Sequence, residues 1–100
     1  MIDRIVLFKL RKEEATDEGR AAAAAETRAA LAAVPGATEV RVGLPADEAS
    51  TRSWDLSLLL RFESLAAMER YLQEPGFRSY FEETMRPRAE CVKYWAFEVP

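Results

Sequence analysis

The sequence predicts an α+β protein of the ferredoxin-like class, an antiparallel four-stranded sheet with helices on one face, in the order βαββαβ. Three observations predict it. Residues 2–10, "IDRIVLFKL", and residues 91–99, "CVKYWAFEV", are β-rich runs at the two ends. Two runs with helical spacing, starting near Asp17 and after Ser64, each stand between strand-like segments. The link between the two inner strand segments is short, which suits an antiparallel pair, while the helices supply the crossovers.

The first strand is apolar on both faces, with Val6, Phe8 and Leu10 on one and Ile5 and Leu7 on the other. Thr16 and Asp17 offer a helix cap before "DEGRAAAAAETRAALAAV", where Ala, Arg and Glu favour helix and early acids suit the helix dipole. Ala24, Thr27, Leu31 and Val34 form its inward stripe, and the small alanines let the axis lie close to a sheet. Pro35-Gly36 ends it. Residues 38–44, "TEVRVGL", alternate as a half-buried strand, and "PADEASTRS" reads as a polar loop. In residues 54–62, "WDLSLLLRF", Trp54, Leu56, Leu58, Leu60 and Phe62 share one face. Asp55, Ser57, Leu59 and Arg61 share the other, where Asp55 and Arg61 are placed for solvation at the barrel rim or for ionic contacts across a dimer interface.

Ser64 caps the second helix, whose stripe is Leu65, Met68, Tyr71 and Leu72. Pro75 restricts Glu74 and breaks this helix, yet suits the first turn of a new one. Residues 76–85 then bring Phe77, Tyr80 or Phe81, and Met85 to helical spacing before Pro87 stops the run. Phe81 and Met85 are expected on the even-numbered sheet face near Val6, Phe8, Leu58 and Leu60. Tyr71 and Phe77 are expected to border any cavity between sheet and helices, with Arg4 as a polar contact at its far end.

The 100 residues make one domain, residues 1–100, with one modest core. A net charge of −3 argues against nucleic acid. No apolar run reaches the ~20 residues of a membrane span. The start carries Asp3, Arg4 and Lys9 within its apolar run and reads as a strand rather than a signal peptide, so a cytoplasmic setting is expected. There is no histidine, and Cys91 is the single cysteine. These two facts remove His-based zinc sites, Ser-His and Cys-His nucleophiles and intrachain disulfides. No cofactor or metal is expected. Two-sided hydrophobicity in the first, third and fourth strands calls for a cover on the helix-free face. A second copy of the same sheet, related by a two-fold axis, is the economical one.

The segments "MIDRIVLFKL", "LLLRFESLAAMERYLQEPGF" and "VKYWAFEV" resemble, over nearly the whole chain, the stress-responsive dimeric α/β-barrel (Dabb) family. That family typically opens with "IxHIVLFK" and carries a later "L-x-x-Y" followed by "H-P-x-H". The resemblance implies a homodimer whose two sheets close into a barrel with the helices outside. In polyketide cyclases of this family, of the olivetolic acid cyclase type, a tyrosine and two histidines serve the pocket between sheet and helices. By the motifs, the tyrosine falls on Tyr71, one histidine on Phe77 and the strand-one histidine on Arg4. The phenol is kept and both imidazoles are lost.

Tyr71 is therefore the one candidate catalytic residue, and a phenol with a pKa near 10 is a poor base alone. The candidate ligand-binding set is Arg4, Val6, Phe8, Leu58, Tyr71, Phe77 and Phe81. The expected function is a stress-responsive-type dimeric barrel binding a small hydrophobic molecule. The alternatives are a polyketide cyclase or cofactor-independent monooxygenase using the same pocket, or an assembly module. For the individual side chains the plain readings also stand: Arg4 in a salt bridge with Asp3, Glu98 or a partner chain, Tyr71, Phe77, Tyr80 and Phe81 as core, Cys91 as structural.

Overall fold

The computed structural model describes residues Met1–Pro100. Four strands, β1 (Ile2–Leu10), β2 (Glu39–Gly43), β3 (Leu56–Phe62) and β4 (Ala89–Glu98), form one antiparallel sheet in the order β2-β3-β1-β4. Helix α1 (Asp17–Ala32) joins β1 to β2. The predicted βαββαβ order and antiparallel four-stranded sheet are both present.

Register decides which side chains share a face. Val6 lies opposite both Leu58 and Tyr94, and Ile5 opposite both Leu59 and Trp95. Even-numbered residues of β1 and β3 thus face the helices, and Val6, Phe8, Leu10, Leu56, Leu58, Leu60 and Phe62 are all buried there. Thr16 caps α1 by accepting from the Gly19 N–H at 3.0 Å. The helix buries Ala23, Ala24, Thr27 and Leu31. Gly36, at φ 118°, turns the chain back towards β2 in a conformation that side-chain-bearing residues rarely adopt.

Four sequence expectations need correction. The stretch after Pro45 is not all loop: Asp47 accepts from the Ser50 N–H at 2.7 Å and caps a six-residue helix, α2 (Glu48–Ser53). Helical spacing gave no warning because α2 has no apolar stripe to bury. The third strand begins at Leu56 rather than at Trp54. Asp55 leaves the alternation: its Oδ2 accepts the Leu10 N–H at 2.8 Å and its Oδ1 lies 3.5 Å from Arg20 Nε. Asp55 and Arg61 therefore act separately, because Arg61 is held by Asp3. Leu65, expected in an inward stripe, is exposed.

Ser64 caps α3 (Leu65–Gln73), which buries Met68 and Tyr71. Glu74 is extended (φ −60°, ψ 132°), and Pro75 opens α4 (Pro75–Ser79) at its first position. The chain then widens into a π-helical turn, Tyr80–Met85. Five-residue spacing puts both Tyr80 and Met85 on the buried side. No helix is long and apolar enough to cross a membrane.

Candidate functional site

Five aromatic rings run in a row along the helix-facing side of the sheet. Phe8 lies 6.2 Å from Phe81, centroid to centroid, Phe81 stacks on Phe77 at 5.8 Å, Phe77 leans on Tyr71 at 5.4 Å, and Tyr71 meets Phe62 edge-on at 5.2 Å. The helix break at Glu74-Pro75 makes the row, because restarting the helix lets Phe77 and Phe81, four apart, return onto the sheet. Phe81 packs against Phe8 of β1, and Met85 is buried in the same hydrophobic cluster as the even-numbered residues of β1 and β3.

Of the seven candidate ligand-binding residues, Val6, Phe8, Leu58, Tyr71 and Phe77 are buried in one continuous hydrophobic cluster, and Phe81 packs half-buried against it. The structure brings these six together, but as filled core. The four surface grooves are lined by none of Val6, Phe8, Leu58, Phe77 and Phe81, and Tyr71 borders one of them. The Phe77 ring, between Tyr71 and Phe81, occupies the space where a smaller side chain would leave a cavity.

Tyr71 is held as a neutral phenol. Its hydroxyl donates to the Leu31 carbonyl at 3.3 Å, and burial pushes its pKa up to about 12. It can donate a hydrogen bond but is further from being a base than an exposed tyrosine. Tyr80 is raised to about 12 for the same reason, its hydroxyl buried against Thr27.

Arg4 sits on the same sheet face as the aromatic row, with Leu60 and Ala96 as its cross-strand neighbours. Neither of the salt bridges expected within the chain, to Asp3 or to Glu98, forms. Asp3 points to the opposite face and is taken by Arg61, and no carboxylate of the chain lies within 4.0 Å of the Arg4 guanidinium. The guanidinium carbon instead lies 4.5 Å above the centre of the Tyr94 ring. Its Nε is buried and has no hydrogen-bond acceptor, and burial lowers its pKa. Tyr94 is the residue that sequence reasoning missed. Its parity on the last strand was visible, but only the β1–β4 register, with Val6 opposite Tyr94, brings it beneath Arg4.

The helix-free face carries Ile5, Leu7, Leu59, Trp95 and Phe97, the last two exposed. Next to it a groove of about 510 Å³ runs between α2 and the sheet, lined by Leu7, Leu44, Trp54 and Ser57 among others. No three Cys, Asp or Glu side chains converge as metal ligands would.

The family model of the Stress responsive A/B Barrel Domain (Dabb) matches residues 2–99. Among solved structures, a Dabb family protein with a ferredoxin-like fold from Mesorhizobium loti superposes with a TM-score of 0.81 at 19% identity, covering 99% of this chain and 95% of that one. A dimeric protein of unknown function and ferredoxin-like fold from Bacteroides fragilis gives 0.78 at 20% identity, covering 98% and 95%. A variant of SnoaB, a cofactor-independent oxygenase from Streptomyces nogalater, gives 0.71 at 16% identity, covering 98% and 91%. No curated protein matches the chain. At these identities the likeness concerns the fold.

Proposed function

The chain belongs to the stress-responsive A/B barrel (Dabb) family, and within that family we propose that residues 1–100 act as one homodimer-forming domain that binds a small hydrophobic molecule without catalysing a reaction on it. The observation that carries the reading is the aromatic row of Phe8, Phe81, Phe77, Tyr71 and Phe62 on the sheet face that also bears Arg4, a cation with no counter-ion in the chain. The ligand would enter between sheet and helices, touching Val6, Phe8, Leu58, Tyr71, Phe77 and Phe81, with Arg4 at the polar end. Phe77 is the ring that must swing aside, because it stands between Tyr71 and Phe81 and fills the space between sheet and helices.

The second copy would cover Ile5, Leu7, Leu59, Trp95 and Phe97. Of the charges on that face, Arg61 pairs with Asp3 at 2.6 Å and Arg41 with Glu39 at 2.8 Å, whereas Lys9 and Lys93 have no carboxylate partner within the chain. Such a dimer should bury more than ~1,200 Å² in total. A cytoplasmic setting completes the reading, and a free Cys91 is compatible with a reducing compartment.

The test is a thermal-shift series with neutral aromatic probes, benzyl alcohol and 1-naphthol, on the wild type and Phe77→Ala. Uptake strengthened by Phe77→Ala supports binding between sheet and helices. Absence of any shift in either protein overturns it. The enzymatic reading, a cyclase or cofactor-free oxygenase, is favoured by the fold shared with the Streptomyces oxygenase. It would have to use Tyr71 as a hydrogen-bond donor, so turnover abolished by Tyr71→Phe is the result that would favour it.

A further inference from the structure

We infer that Arg4 and Tyr94 form the head-group seat of a carboxylate site, so that the ligand is a small organic acid with an apolar body rather than a neutral hydrocarbon. The inference rests on the proposed binding role and narrows its ligand class.

A half-buried guanidinium is costly unless its N–H groups are satisfied. Six of the arginines, Arg20, Arg41, Arg52, Arg61, Arg86 and Arg88, have a carboxylate within 4.0 Å. Those without one are solvent-exposed, Arg4 excepted. Its Nε is buried with no acceptor, and its cross-strand neighbours, Leu60 and Ala96, are apolar. Glu98, on the same face opposite Ile2, makes no ion pair with it. The Tyr94 ring lies against the guanidinium, 4.5 Å from its carbon, and leaves its N–H edge unpaired.

A planar carboxylate fits that edge, because two parallel N–H···O bonds match the guanidinium spacing and neutralise its charge. The seat also stays accessible in the proposed dimer. Arg4 and Tyr94 lie on the helix side of the sheet, whereas the second copy would cover the other side. Tyr94 and Ala96 are exposed there because the helices leave that part of β4 open. The apolar body of the acid would run along Val92 and Phe81, both half-buried.

The experiment compares acids with alcohols of the same body: benzoate against benzyl alcohol and octanoate against 1-octanol, by calorimetric titration of the full chain, with inorganic phosphate as a second anion. The expected result is tighter binding of both acids by about tenfold or more, from charge-assisted hydrogen bonds absent in the alcohols. Arg4→Met should reduce each acid to the level of its alcohol. Arg4→Lys, which keeps the charge but loses the fork, should fall between, and Tyr94→Leu should weaken the acids while leaving the alcohols unchanged. In the wild type, the Tyr94 ring protons should shift on adding benzoate. Equal affinity for acid and alcohol overturns the inference, as does an Arg4→Met protein that binds acids normally, or phosphate binding as tightly as benzoate. Alcohol binding without acid preference would leave the hydrophobic-ligand reading standing and remove only the carboxylate. Loss of both in the wild type would remove both.

Discussion

Arg61 grips Asp3 across the β1–β3 pair with two hydrogen bonds, Nε to Oδ1 at 2.6 Å and Nη2 to Oδ2 at 2.8 Å. The two residues stand directly opposite in the register, on the face that a second copy is proposed to cover.

The hydrogen bond from Arg61 holds the Asp3 carboxyl below its ordinary value of 3.8. A depressed carboxylate stabilises the fold at pH values above its unfolded pKa, and the contribution is lost as the pH falls through the folded one. Asp3→Asn should therefore lower the urea midpoint at neutral pH, and the gap to wild type should close as the pH is taken below 3.8. A gap independent of pH would show that the ion pair carries no linked stability.

Phe77 is 7% exposed and contacts aromatic rings on two sides. Phe77→Ala should cost about 3–5 kcal/mol in denaturant unfolding, the range for removing a core aromatic. A loss below about 1 kcal/mol would mean that the ring is a pocket wall rather than core.

The buried hydroxyls of Thr27 and Tyr80 have an order. Thr27 spends its hydrogen on the Ala23 carbonyl at 2.7 Å, so Tyr80 donates to Thr27. Tyr80→Phe then strands no donor and should cost about 0.5–1.5 kcal/mol, whereas Thr27→Val leaves a buried hydroxyl unpaired and should cost more, about 1–3 kcal/mol. With Tyr71 and Tyr80 both raised from 10.0 to about 12, their contribution is complete below pH 10.0 and is lost as the pH rises towards 12. Absorbance titration should show both phenols ionising with unfolding in that window, and Tyr80→Phe should remove one of the two.

Leu59 and Trp95 flank Ile5 in the register on the helix-free face. Leu59→Lys or Trp95→Lys should place an unpaired charge in the dimer seam and give a monomer at micromolar concentration by sedimentation, with a melting temperature that no longer depends on concentration. A wild-type monomer would sink the dimer, and unchanged dimers in both variants would place the seam elsewhere.

Strand and helix order, the inward stripe of α1, the break at Pro75 and the two-sided β1 were legible in the sequence by itself. Each rests on a local period of two or 3.6 residues, on a cap such as Thr16 or Ser64, or on Pro and Gly. So was the aromatic character of the space between sheet and helices, since Tyr71, Phe77 and Phe81 follow one another closely. The tertiary structure alone decided whom each polar group meets. Arg4 lies over Tyr94, ninety residues away, because the β1–β4 register aligns Val6 with Tyr94. Asp55 leaves its strand to take the Leu10 N–H, Arg61 goes to Asp3, and the α2 helix stands where no apolar period announced it. The physical reason is range: burial patterns repeat every few residues along one segment, but a hydrogen bond or ion pair needs two atoms about 3 Å apart. Which distant segments come that close is set by the register and packing of the whole sheet.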